Sequence, residues 1–530
     1  ALGLTGYLLP WDQKGYYATQ VTTNIMGATP VVGEYVQQVA QGGKSYGHHT
    51  LTRFFAMHAG ILPGLLIAFL GLHIYVFRRH GITVHEPKRA PDTTFWPDQV
   101  LKDAVACLGV LSVVLLLAIF KGAELSPPAD PAQAYDAARP EWYFLFLFRF
   151  LKFKIIGGMG LATGAIYIPG LLAGVLVAMP LIARWKSGHK FNIAYTWVMT
   201  AGIVALTALA FYEDSNNADH QAAIAEAHRE GGRIQELANR PEMIPVEGAV
   251  ALLRSDPFAQ GPRIFAKQCA SCHRWDGHSG RGRLLTVADP NDKSDHPKAV
   301  VALPEATDLA TFGQREWMKR VIVDYSNHFA PLRNAAWFTS LTDEEQAETL
   351  NPDPDVSEMA GASVEYAEAF GDPANAKDLD ALVEYLVSLR GWTGDAEQLD
   401  AAKIARGEEI LGGAALATGT EISSCTDCHD TLGSELDLTV ENESGYPNLA
   451  EYASAKWLKA FIRDPGNGHF YGEKNHMPAY SETKLSDAEL DLLVRWITRD
   501  HYPTKVGEYP SMLDRLPASV PATVAAPAAE

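Results

Sequence analysis

Two five-residue stretches, Cys269-Ala-Ser-Cys272-His273 and Cys425-Thr-Asp-Cys428-His429, hold four of the five cysteines in this 530-residue chain. Two thiols separated by two residues, with a histidine directly after them, suit a covalently anchored porphyrin. The thiols add to its vinyl groups and the imidazole ligates iron from one face, which is the chemistry of haem c. A zinc site would need further cysteines or histidines at regular spacing. A thioredoxin-like pair would need neither the histidine nor the duplication. A six-coordinate electron-transfer haem also needs a ligand on its other face, often methionine, which raises the reduction potential. In the second unit that candidate is Met477, in HMPAY, with His469 and His476 as competitors. In the first unit it is Met359, with Met318 as the alternative, although Met318 falls in an amphipathic stretch where core packing is the blander role.

A second constellation lies far upstream. Thr52–Phe77 is apolar enough and long enough to cross a bilayer, which takes about 20 residues, yet it carries His58 and His73. These lie fifteen positions apart, just over four helical turns, so both rings project from nearly one face, about 22 Å apart along the axis. An imidazole inside a membrane span is costly and faces the protein interior or a bound group. Two on one face point to two metal centres stacked across the membrane, against the blander reading of two hydrogen-bonded structural histidines. The fifth cysteine, Cys107, sits in an apolar span and reads as inert packing.

These residues need a membrane domain and helical carrier domains to position them. The hydrophobic fraction is 47% and the mean hydropathy −0.06, an average that hides an apolar first part and an acidic second part. A net charge of −19 argues against nucleic acid as a partner and suits the steering of a basic protein partner. Complete spans are expected at about 52–77, 100–120, 166–183 and 193–211, preceded by the end of another. The opening ALGLTGYLLPW is already apolar, so the expectation is that helices preceding it belong to a missing N-terminal part or a separate polypeptide.

The loops after the histidine helix and between the last two spans are densest in Lys and Arg. The positive-inside rule assigns them to the cytoplasm and the long loops outside. Arg149, Lys152 and Lys154 run against that count. Residues 213–256 read as a helical or flexible linker. Two units, 257–392 and 393–502, then repeat the same order of features: FAKQCASCH, ATDLATFGQREWMKRVIVD and DLDALVEYLVSLRG against EISSCTDCH, YPNLAEYASAKWLKAFIRDP and AELDLLVRWITRD. That is an internal duplication. The Ala/Pro-rich tail, 503–530, reads as disordered. The expected fold is therefore mainly α: a transmembrane helix bundle followed by two all-α c-type cytochrome domains.

GYLLPWDQKGYY at Gly6–Tyr17, RFFAMH…GLHIYVFRRHGI from Arg53, and Pro140-Glu141-Trp142-Tyr143 together resemble cytochrome b of the cytochrome bc complexes, over about residues 1–212. PWDQ, the histidine spacing and the end of the membrane part after three later spans resemble the C-terminal part of the split, chloroplast-like branch. The mitochondrial branch has one residue fewer between these histidines. Residues 257–502 resemble two fused c-type cytochromes, similar to bacterial enzymes that join a c cytochrome to the cytochrome b chain.

The resemblance implies a membrane quinol:cytochrome c oxidoreductase subunit with two haem b, two haem c and a quinol/quinone substrate. His58 and His73 would each give one axial ligand to a haem b, the opposite ligands coming from outside this sequence. Glu141 would accept a proton from quinol at the outer face, its pKa raised by a half-buried pocket. Tyr143 would act beside it, and Leu9, Pro10, Trp11, Pro140 and Trp142 would wall the site. Arg78 would lie near the inner quinone or haem pocket, though a positive-inside anchor explains it almost as well. A further covalently attached haem near the inner site is left open. Implied partners are a Rieske iron–sulfur protein, the polypeptide carrying the earlier helices, a soluble acceptor such as a cytochrome c, the lipid membrane and a second copy in a homodimeric complex. The implied location is the bacterial inner membrane, with the c domains on the periplasmic side. The competing function is a non-catalytic electron conduit from a dehydrogenase to a periplasmic acceptor, against which PWDQ and PEWY argue.

Overall fold

A backbone inside lipid must satisfy its own hydrogen bonds, and the apolar runs of this chain do so as helices. The computed structural model describes residues 2–81, 94–123, 125–242, 244–294, 297–351, 358–390, 399–429, 436, 438, 446–472 and 475–516. The join at 391–398 between the two repeats and the tail beyond 516 lie outside the described residues. Three short helices, α1 (Leu2–Tyr7), α2 (Gln13–Gly27) and α3 (Gly33–Gln41), lead into α4, His48–His80. Next come α5 (Phe95–Phe120), the shorter aromatic helix α6 (Trp142–Leu151), α7 (Thr163–Ile182) and α8 (Gly188–Asn216). Among the described residues α4, α5, α7 and α8 are long and apolar enough to cross a membrane, matching the four expected spans. Their apolar side chains face outward almost throughout, as lipid-facing helices require.

The chain divides into two units, 1–232 and 233–530. The boundary falls inside helix α9, Ala218–Ala238. The expected linker is helical over this stretch. Ala223 and Ala227 are buried, as are Arg233 and Leu237 further along. Arg233 forms a two-pronged pair with Asp256 at 2.7 and 2.9 Å and also donates to the Tyr502 carbonyl.

The second unit is helical, with one antiparallel pair among its described residues, β1 (Thr286–Ala288) and β2 (Ala299–Val301), made by the insertion after the first CxxCH. Its main helices are α10 (Pro257–Gln268), α11 (Arg315–Val323), α12 (Glu358–Gly371) and α13 (Ala376–Leu389). The second repeat supplies α14 (Ala401–Leu411), α15 (Ala455–Arg463) and α16 (Asp487–Ile497). Two main cores form, and neither follows the repeat boundary. One joins Ile264, Phe265 and Trp275 of the first repeat to Trp457, Leu493 and Trp496 of the second. The other joins Trp317, Tyr366 and Val383 of the first repeat to Ile410, Leu416 and Ile422 of the second. Helix α10 therefore packs on α16, and α14 on α13. Gly261 on α10 and Gly407 on α14 make both crossings close: a Cβ at the first would run into Trp496 and at the second into the Ala381 carbonyl. Each core thus draws on residues from both sides of residue 392, where the expected domain boundary falls.

The start of the expected disordered tail is also ordered. Glu236 accepts from Lys505 N and Val506 N at 2.7 and 3.1 Å, and Ser511 Oγ donates to the Asp276 carboxylate at 2.8 Å. Polar contacts, with the Tyr509 ring packed against His278, hold residues 503–516. Composition alone carried no sign of them.

Candidate functional site

In the membrane unit the loop after α1 is fastened to the loop before α6. Asp12 caps α2 by accepting from Gly15 N at 2.9 Å and also accepts from Ser126 N at 3.0 Å. Gln13 N donates to Pro127 O at 2.8 Å, and Ala129 N donates to Trp11 O at 2.9 Å. The PWDQ segment is thereby locked onto SPPAD, and the residues flanking it converge on Glu141. Tyr7 Oη donates to Glu141 Oε1 at 2.8 Å, and Lys14 Nζ reaches the same oxygen at 3.0 Å.

Burial pushes the Glu141 carboxyl up, but hydrogen bonds from Lys14 and Tyr7, with the charge of Lys14, hold it below the usual carboxylate range. The expected raised pKa is corrected: the pocket is half-open and supplies a cation of its own. The sequence pattern alone pointed to neither Tyr7 nor Lys14; their positions on either side of PWDQ were the available signal. Tyr143 packs beside α1, its hydroxyl 3.2 Å from where a Gly3 Cβ would stand. Pro140 is half-buried and Trp142 exposed; Leu9 is half-buried and Pro10 exposed. Trp11 sits in a left-handed conformation, edge-on to Tyr16.

Arg139 clasps Asp214 through Nε and Nη2 at about 3.0 Å, and Arg149 pairs with Glu213 at 2.7 Å. Of the basic residues that disturbed the charge count, Arg149 is thus matched by a carboxylate at the end of α8. Glu141 and the end of the last span lie at the same end of this unit.

His58 stands in a π-helical turn, Met57–Ile61, within α4. Fifteen α-helical residues overshoot four turns by about 60°. A π turn holds more residues per turn, which reduces that lead and brings His58 and His73 towards one face. His58 Nδ1 lies 3.1 Å from Leu2 O, and a Cβ on Gly6 would stand 2.5 Å from its ring. His73 and Arg78 are exposed on α4. Two imidazoles on one face of a spanning helix fit axial ligands of stacked haems.

The second unit builds two matching sites. His273 Nδ1 donates to Thr307 O at 2.9 Å, and His429 Nδ1 donates to Pro447 O at 2.9 Å. A carbonyl only accepts, so each Nδ1 carries the proton and Nε2 keeps the lone pair a metal needs. Burial pushes both imidazoles below their usual range, which favours the neutral form. Burial pushes the Cys269 thiol up to about 12, with the nearby Cys272 adding to it. It likewise raises Cys425. None of the four motif cysteines is in a disulfide. Among the described residues no three His, Cys, Asp or Glu side chains converge as a bare metal ion would need. Paired thiols beside a single oriented imidazole fit covalent haem and do not fit zinc.

Met477 packs in the core that holds Cys269. Met359 lies on α12, whose Tyr366 hydroxyl stands 3.8 Å from Cys425 Sγ. Of the competitors, Met318 is buried in the second core, His476 lies flat on Trp337 at 3.6 Å, and His469 is buried.

Two stretches of the chain match known families. Residues 1–130 match the family described as "Cytochrome b(N-terminal)/b6/petB", and residues 258–390 match "Cytochrome c". A "Cytochrome bc complex cytochrome b subunit" of Chlorobaculum thiosulfatiphilum is 32% identical over 201 residues, 37% of this chain and 46% of that protein. "Cytochrome b6" of Prochlorococcus marinus (strain NATL1A) is 42% identical over 83 residues, 16% of this chain and 38% of its own. The solved "Hyperthermophilic respiratory Complex III" aligns with a TM-score of 0.32 at 26% identity, covering 40% of this chain and 58% of that one. The chain spans less than half the length of these curated relatives. Residues 1–130 are thus similar to a cytochrome b family and residues 258–390 to a cytochrome c family.

Proposed function

We propose that this chain is the cytochrome b- and c-bearing subunit of a membrane quinol:cytochrome c oxidoreductase. The observation that carries the reading is Glu141, held by Tyr7 and Lys14 at the end of the membrane unit from which the chain leaves its last span. A carboxylate kept ionised at neutral pH is competent to take a proton from a quinol hydroxyl. Once Glu141 is neutral its ion pair with Lys14 is lost, so the lysine weakens the base at rest and favours proton release after turnover. Tyr143 and Trp142 present an aromatic wall beside it, and Leu9, Pro10 and Trp11 lie on the loop that Asp12 pins in place.

His58 and His73 would hold two haem b from one side, and the two CxxCH motifs two haem c. When bound, these groups supply one-electron transfer. The other haem b ligands would come from a partner polypeptide or an N-terminal region carrying further histidines. A Rieske iron–sulfur protein, a soluble acceptor such as a cytochrome c and a second copy of the subunit complete the assembly. The outer face is that of Glu141, with the c-type unit on the periplasmic side of a bacterial inner membrane. Arg78 would approach the inner quinone or haem pocket.

The test is quinol-dependent reduction of added cytochrome c by the whole complex. Glu141→Gln keeps the shape and the two hydrogen-bond partners but removes the base. A loss of about 100-fold or more is expected for a general base. Unchanged turnover would remove Glu141 from the reaction and leave an electron conduit as the better reading.

A further inference from the structure

The repeats are equivalent in sequence but exchange halves in space. Up to the carbonyls that orient His273 and His429, each site is built from its own repeat. Immediately afterwards the chains cross. Phe312 and Tyr452 occupy equivalent places in the repeats, and their rings meet at 6.1 Å. The next residues, Gly313 and Ala453, both adopt left-handed backbone, φ 68° and 63°. A Cβ on Gly313 would come 2.7 Å from the Ala453 methyl, so one partner of this contact must be glycine. Past the crossing the two ends are tied reciprocally. Glu451 N donates to Leu389 O at 3.1 Å, and Arg499 Nη2 donates to Ala310 O at 3.3 Å.

Beyond the crossing each half serves the other repeat's site. Trp496 stacks on Trp275 at 3.8 Å, and Tyr480 Oη donates to Gln268 O, directly before Cys269, at 2.7 Å. Met477, three residues before Tyr480, packs in that same core with Cys269. At the other site, Tyr366 Oη donates to Ser423 O at 3.0 Å, and Glu365 accepts from Ser423 N and Oγ at 2.9 Å. Met359 is seven residues before Tyr366 on α12, so it shares the same helix face two turns away.

Resting on the reading of the CxxCH motifs as haem c sites, we propose that the sites are interlaced. The haem held by Cys269, Cys272 and His273 takes Met477 as its sixth ligand, and that held by Cys425, Cys428 and His429 takes Met359. Each site draws its histidine from one repeat and its methionine from the other. Exchanging equivalent halves keeps the contacts of each site nearly unchanged, as in domain swapping. The crossing at Gly313 and Ala453 selects the exchanged pairing. The two haem sites consequently form one folding unit.

The test uses the full chain in its membrane complex. In a Cys425→Ser, Cys428→Ser background only the first motif anchors haem, and its methionine–iron charge-transfer absorption and midpoint potential are read. Met477→Ala should abolish the band and lower the potential, since methionine ligation raises it, while Met359→Ala leaves both unchanged. In the Cys269→Ser, Cys272→Ser background the two substitutions should exchange their effects. Loss of the band on changing Met359 in the first background overturns the interlacing, as does its survival in both variants. A second measurement needs no variant. Lys267 Nζ lies 3.9 Å from Glu489, so a zero-length carbodiimide cross-link between them is expected within single chains. A link from Lys267 to Asp378, the counterpart of Glu489 in the first repeat, would instead overturn the proposal. Absence of covalent haem from the unmodified chain is a different failure, that of the motif reading itself.

Discussion

The membrane unit and the c-type unit both hold imidazoles in place, but for different surroundings. In the membrane unit His73 is exposed, Glu141 half-exposed, and the apolar faces of α4 and α5 turn outward. In the c-type unit the two motif histidines are oriented by backbone carbonyls, and cysteines, tryptophans and helix crossings close around them. The difference follows from the solvent. Lipid leaves apolar helix faces stable without further burial, so membrane sites are completed by neighbouring helices. Water penalises the same exposure, and the c-type repeats close on each other.

The sharpest break of this comparison is all-or-none. Removing Cys269 and Cys272 together should abolish covalent haem at that motif and halve the haem stain of the c-type unit, leaving the b-type absorption of the membrane unit intact. Next in size is Arg233→Ala, which leaves Asp256 buried without its cation. A cost of about 3–5 kcal/mol is expected for breaking such a pair, read as a lower thermal midpoint of the c-type unit alone. Gly407→Leu should cost about 1–3 kcal/mol by overpacking the α13–α14 crossing. Gly64→Leu, on α4 where a Cβ meets nothing within 4 Å, should be tolerated. Equal losses at the two glycines would erase the contrast between closed and open packing.

A pH titration separates the units further. Burial pushes His328, packed edge-on against Trp317, down to about 4. With an unfolded value near 6.5, the unfolded chain binds the proton first as pH falls. Stability is therefore fully present above about pH 6.5 and declines as pH falls to about 4, by about 3 kcal/mol in all. His328→Phe should flatten that slope in chemical denaturation; an unaltered slope would assign it to other groups. The smallest effect belongs to Lys14→Met, which removes the cation beside Glu141. The acid limb of quinol turnover should move to higher pH, because the lysine keeps the carboxylate ionised; a limb that stays in place would free Glu141 from that pair.

Much of the molecule was legible in the chain itself. The apolar runs fixed the four spans, because twenty apolar residues have few alternatives to a membrane helix. CxxCH, PEWY and the two histidines of α4 marked the candidate sites, because each depends on residue types at a fixed spacing. What the chain could not disclose were relations between distant segments. Lys14 against Glu141 lowers a pKa that local surroundings alone would raise. Glu236 and Asp276 order residues 503–516, although their composition suggested disorder. Above all, Met359 and Met477 were recognisable as ligand candidates while their partners were not. Two repeats of the same pattern offer each methionine two almost equivalent cores, and sequence order favours the nearer one. Tertiary structure decides otherwise, through the left-handed crossing at Gly313 and Ala453, which sends each half of the duplication to the other's site.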